Sequence, residues 1–208
     1  MVKKLKRLEV EEQLKSSRLP VFTPQEFKDV FGVSVDTAKS FIKRNLKSGL
    51  FIKLRNNYYQ LKDSNPPLYF IANKLYQPSY ISLEKALSYY NIIPEIVYGV
   101  TSITSKPTRE FETPRANFSY QTIKSEAYRG YSAKNIEGYI VLFAEPEKAL
   151  ADYLYFVDLK KASLNDRLEL RNIKRTKLTS YVKLFKRPAM LKLIDNIYAE
   201  YRKPRRIY

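Results

Sequence analysis

The sequence predicts an α+β protein in two parts. An N-terminal winged helix-turn-helix comes first, then a mixed domain with helices packed on a small antiparallel sheet. Three observations predict this. Helical patterns followed by a short hairpin fill residues 1–62. A polar Pro-Pro stretch, Asp63-Ser64-Asn65-Pro66-Pro67, comes next and reads as a linker. Beyond it, short β-branched and aromatic runs broken by Pro and Gly lie among further helical patterns. The boundary falls near residue 66, giving domains 1–66 and 67–208.

The first helix spans Lys3 to Ser17, with Leu5, Leu8, Val10 and Leu14 as its apolar residues, and Pro20 ends the segment. Thr23-Pro24-Gln25-Glu26 is a helix start. Thr23 caps, Pro24 takes the first helical position, and Glu26 completes a capping box. This second helix runs to about Val30 and stops at Gly32. Ser34 caps a third helix that extends to about Ser48. Ala38, Phe41, Ile42 and Leu46 share its inner face. Asp36, Ser40, Lys43, Arg44 and Lys47 lie opposite. Two helices joined by a tight Gly turn, with such a polar second helix, form a helix-turn-helix pattern. Leu50 to Arg55 and Tyr58 to Lys62 then make a hairpin around Asn56-Asn57, residues that tolerate positive φ.

In the second part, Leu68 to Leu75 reads equally as helix or strand, and Ser82 caps a helix from Leu83 to Tyr90. Tyr98 to Thr104, Glu110 to Glu112, Phe118 to Ile123 and Tyr139 to Phe143 read as about four antiparallel strands. Glu145-Pro146-Glu147 opens another helix, on which Lys148 and Asp152 are spaced for an ion pair. Further helices are expected over 164–173, 177–185 and 189–201.

Composition removes several functions. The 208 residues contain neither Cys nor His. That excludes disulfides, thiolate chemistry, a His general base and Cys- or His-ligated zinc. No apolar run reaches the ~18–20 residues of a membrane span, and the N-terminus lacks the apolar core of a signal peptide. The expected location is cytoplasmic. A metal-dependent nuclease would draw on Glu110, Glu112, Glu126, Glu137, Glu145, Glu147 and Lys148. Glu147 and Lys148 are adjacent on a helix, though, where that chemistry wants a strand-borne Glu-x-Lys. No phosphate-cradling Gly-rich loop is present. A non-enzymatic protein with no cofactor and no metal is expected.

The net charge of +17 is unevenly spread. Residues 1–64 hold 14 basic and 7 acidic side chains, 65–157 hold 9 and 9, and 158–208 hold 15 and 5. Two basic ends flanking a neutral middle point to a polyanion partner. For duplex DNA, Ser34, Asp36, Thr37 and Ser40 at the start of the third helix are the candidates for base edges. Lys43, Arg44 and Lys47 are candidates for phosphate. Lys53, Arg55, Asn56 and Asn57 would act from the hairpin. Lys174, Arg175, Lys177, Lys183, Lys186 and Arg187 would add phosphate contacts. A protein-docking role for the N-terminal unit stays open.

Three phrases carry a family resemblance: YISLEKALSYYNIIPE (Tyr80 to Glu95), VTSITSK (Val100 to Lys106) and FAEPEKALADYLYF (Phe143 to Phe156). In this order and spacing they resemble the effector region of AbiEi antitoxins, the antitoxin half of AbiE-type (type IV) toxin–antitoxin operons. The resemblance implies a winged-helix repressor that binds repeats in its own promoter. It also implies an antitoxin that counters a nucleotidyltransferase toxin encoded beside it, with or without direct contact. It carries no catalytic residue. A protein that shields a structured RNA is the alternative partner reading.

Overall fold

The computed structural model describes residues 5–201. Lys3 and Lys4, where the first helical pattern begins, lie outside the described residues.

The N-terminal unit contains α1 (Arg7–Ser16), β1 (Val21–Phe22), α2 (Pro24–Phe31), α3 (Val35–Lys47), β2 (Phe51–Arg55) and β3 (Tyr58–Leu61). Its boundaries follow local chemistry. The Thr23 side chain accepts the Glu26 N–H at 3.2 Å, and Glu26 accepts the Thr23 N–H at 2.9 Å. Gly32 takes a left-handed conformation (φ +63°) that stops α2. Ser34 Oγ accepts the Thr37 N–H at 3.1 Å and starts α3. The Phe22, Phe27, Phe41 and Phe51 rings meet at the centre of a small core, with centroids 5.1 to 6.3 Å apart. β1 joins the hairpin, so the sheet has the order β1-β3-β2. A two-residue strand is too short to show alternation in a sequence.

The second unit contains α4 (Leu68–Leu75), β4 (Ser79–Ile81), α5 (Leu83–Tyr89), β5 (Val100–Thr104), β6 (Arg109–Glu112), β7 (Asn117–Thr122), β8 (Tyr131–Ile136), β9 (Tyr139–Ala144), α6 (Pro146–Asp158), α7 (Arg175–Lys183) and α8 (Pro188–Tyr201). Its sheet corrects the expectation of a small antiparallel one. Six strands run in the order β6-β7-β5-β4-β9-β8, and β4/β9 and β5/β7 pair in parallel. The β6–β7 hairpin folds back so that β7 lies between β6 and β5, which turns one contact parallel. Residues 164–173, expected as a helix, form turns instead. There the Asn165 side chain accepts the Arg167 N–H at 2.8 Å, and the Glu169 N–H donates to the Ile92 carbonyl. Side chains and a distant loop take the backbone bonds a helix would have used.

Helices cover both sheet faces. Ile81, Ser102 and Tyr120 share one face by register, and the Tyr120 hydroxyl donates to the Ala72 carbonyl of α4 at 2.7 Å. Tyr80 points the other way and donates to Asp152 of α6 at 3.0 Å. The N-terminal sheet completes the α4 side. Phe51 enters its own small core, while Val21 and Leu54 enter the larger core of the second unit. Ile52 and Tyr58 pack beside them. Pro66 and Pro67 are both buried, so the expected linker is packed and not a free tether. No helix among the described residues is long and apolar enough to cross a membrane.

Candidate nucleic-acid interface

The site is the outer face of α3. Ala38, Phe41 and Ile42 are buried, which fixes the helix rotation and turns Asp36, Ser40, Lys43, Arg44 and Lys47 outward as exposed side chains. Lys39 is exposed at the flank of the same face. Sequence reading passed over it, although its three- and four-residue spacing to Asp36 and Lys43 places it there. Among the described residues, none of Lys39, Lys43, Arg44, Lys47 and the exposed Lys53 is in an ion pair. Five cations without carboxylate partners therefore share one helix and the strand that follows it.

The start of α3 divides the proposed base readers. The Ser34 and Thr37 hydroxyls bond each other at 2.9 Å, and Ser34 also holds the Thr37 N–H. These two are engaged in capping. Asp36 and Ser40 stand free on the exposed face. Asn56 and Asn57 are exposed at the hairpin turn, and Asn57 carries the positive φ (+61°).

Arg55 is placed differently from its expected role. Its guanidinium carbon lies 4.1 Å from the Tyr58 ring centroid and 4.7 Å from that of Phe111 on β6. Its Nη2 donates to the Leu75 carbonyl at 2.5 Å. The side chain is partly buried in the joint between the two units, with its Nε buried there. A partly shielded cation over aromatic rings gains roughly 0.5–2 kcal/mol, which helps offset its partial burial.

The C-terminal cations also divide. Lys174 and Lys183 are exposed and unpaired with any acid among the described residues. Arg175 pairs with Asp195 at 2.6 Å, and Lys186 lies 3.9 Å from Glu126. Exposed pairs of this kind are worth only ~0–1 kcal/mol, so a phosphate can displace them. Arg187 and Lys177 are held more firmly. Arg187 pairs with the nearly buried Asp158, and Lys177 bridges Glu145 at 2.9 Å and Glu147 at 3.5 Å. Its hydrogen bond to Glu145 raises the Lys177 pKa above its usual value. These two side chains tie α6 to the helices that follow it.

The expected Lys148–Asp152 pair on α6 is present and fully buried. The Tyr80 and Ser82 hydroxyls donate to the other carboxylate oxygen at 3.0 and 2.8 Å. Burial raises the Asp152 pKa, against the opposing pull of Lys148 and the two hydroxyls. Ser82 thereby serves Asp152 and makes no side-chain cap on α5. The cluster is enclosed on all sides and offers no opening to a substrate.

Neither a scan of protein-family models nor a search of curated proteins returns a match to this chain.

Proposed function

We propose that this chain is a duplex-DNA-binding transcriptional regulator whose N-terminal unit is a winged helix-turn-helix and whose recognition helix is α3. The observation that carries this reading is the outward face of α3, where Lys39, Lys43, Arg44 and Lys47 are exposed without ion partners beside Asp36 and Ser40. Phosphate neutralisation by such cations releases counterions and supplies affinity. The shorter polar side chains nearer the helix start reach base edges. Lys53 extends the phosphate contacts along β2, and Lys174 and Lys183, exposed and in no ion pair among the described residues, add cations from the second unit.

The biological role follows the resemblance of residues 80–156 to AbiEi antitoxins. In this reading the chain represses its own operon and counters a nucleotidyltransferase toxin, with the second unit as the effector and no catalytic step of its own.

The test of the DNA reading is selection from a random-sequence duplex library with the full chain. Wild type should enrich one operator. Ser40→Ala and Asp36→Asn should shift the preferred bases, at a cost of roughly 1–3 kcal/mol at the matching position. The same operator with undiminished discrimination from both variants would remove α3 from the recognition role.

A further inference from the structure

Two consecutive residues of α4 grip the N-terminal unit at two separate places. Lys74 forms an ion pair with Glu26, the residue whose carboxylate closes the capping box of α2. The Leu75 carbonyl accepts Arg55 Nη2, at the end of β2 where the hairpin turns. One hold is therefore on the first helix of the helix-turn-helix and the other on its hairpin. α3 lies between them in the chain and is joined to both through short turns. The Arg55 guanidinium is seated between Tyr58 of its own hairpin and Phe111 of the opposing sheet, and its buried Nε has no hydrogen-bond partner among the described residues. A phosphate-binding arginine would present that nitrogen outward. Here stacking and a single carbonyl fix the side chain in the joint. Asn65 adds a third tie by accepting from Arg115.

We infer that the last turn of α4 is a clamp that sets the attitude of the DNA-reading helix relative to the second unit. Arg55 and Lys74 are its positioning residues, and neither contacts DNA. The inference rests on the DNA-binding reading for its functional consequence and on the joint geometry for its mechanical one. With the clamp intact, α3 and the cations of the second unit meet one duplex in a fixed relation. With it released, each cation still attracts phosphate, but the base-reading side chains no longer arrive in register.

Two measurements on the full chain test this. The chain has no cysteine, so Gln25→Cys on α2 and Ser132→Cys on β8 accept spin labels at those two sites alone. Wild type should give one narrow distance distribution, and Arg55→Ala and Lys74→Gln should each broaden it. Unchanged distributions in both variants would overturn the clamp, whatever the DNA result. The second measurement is a titration, across salt, of the operator selected by wild type and of a scrambled duplex. Arg55→Ala should weaken operator binding roughly ten- to hundredfold and leave scrambled-duplex binding unchanged, with the same salt slope as wild type. A slope lowered by about 1 would identify Arg55 as a direct phosphate contact and overturn its positioning role. Lys74→Gln removes only a partly exposed ion pair, so it keeps the test sound if Arg55→Ala misfolds. Failure of wild type to bind any duplex would defeat the DNA reading, and the distance measurement would still decide the clamp.

Discussion

At the scale of single residues, the clearest constraints are those one side chain or one backbone conformation can decide. Thr23, Gly32 and Ser34 were legible because capping chemistry depends on neighbours within four positions. Arg55 was not. A basic residue at a hairpin end reads as a phosphate contact until the ring of Phe111, 56 positions along the chain, comes to rest against it. Gly130 is a similar case. Its φ of +82° calls for glycine, but the Tyr181 ring over it follows only from the fold. An added Cβ would lie 2.6 Å from Tyr181 Cε1. Tyr181 is not free to swing away, because its hydroxyl donates to Glu145 at the start of α6. Gly130→Ala should therefore destabilise the protein by about 2–3 kcal/mol, from left-handed strain and the disturbed Tyr181 contact. Adding Tyr181→Ala should recover the steric part. Urea denaturation of the single and double variants measures both, and additive losses would show that the two sites do not meet.

At the scale of elements, α6 shows how far periodicity reaches. The four-residue spacing of Lys148 and Asp152 was legible, and the pair forms. Its complete burial was not, because burial depends on the sheet and the later helices closing over α6 together. Nor did the sequence reveal that Tyr80 and Ser82, some 70 positions earlier, complete the carboxylate's hydrogen bonds. A buried pair of this kind is costly to break and cheap to replace, since removing one partner strands the other charge in an apolar interior. Lys148→Met alone should cost about 3–5 kcal/mol. Lys148→Met with Asp152→Leu should cost less than the sum of the two single changes, because no charge is stranded although the Tyr80 and Ser82 hydroxyls lose their acceptor, with the coupling read from a double-mutant cycle. A loss equal to the sum would mean that neither single change strands a charge. Residues 164–173 mark the opposite outcome. A helix was expected there, but Asn165 and the Glu169 contact to the 91–99 loop took the backbone elsewhere.

At the scale of the whole molecule, charge and pairing decide what local patterns leave open. The sequence showed a change of pattern around residue 66 and suggested a linker at Pro66-Pro67, which the structure buries. The joining of the two parts was not legible, because Leu54 looks like an ordinary hairpin residue and Val21 carries no strand signal until the second unit packs on the outer face of their sheet. Strand order was hidden for the same reason, since the parallel β4/β9 contact joins residues 81 and 143. The net charge of +17 underlies the proposal of a polyanion partner, but its usable part is narrower than the count. Lys177 and Arg187 are engaged with carboxylates at least partly buried, and Arg202, Lys203, Arg205 and Arg206 lie outside the described residues. Among the described residues, Lys39, Lys43, Arg44 and Lys47 bring four exposed cations in no ion pair together on one helix, α3.

The most direct test is therefore the salt dependence of duplex affinity for the full chain, compared with Lys43→Ala/Arg44→Ala/Lys47→Ala. All three side chains are exposed and outside the core, so circular dichroism should be unchanged in the triple variant. If α3 carries the phosphate contacts, the slope of log affinity against log salt falls by about 3, and binding at moderate salt is largely lost. An unchanged slope in a folded triple variant would contradict α3 as the DNA-binding face.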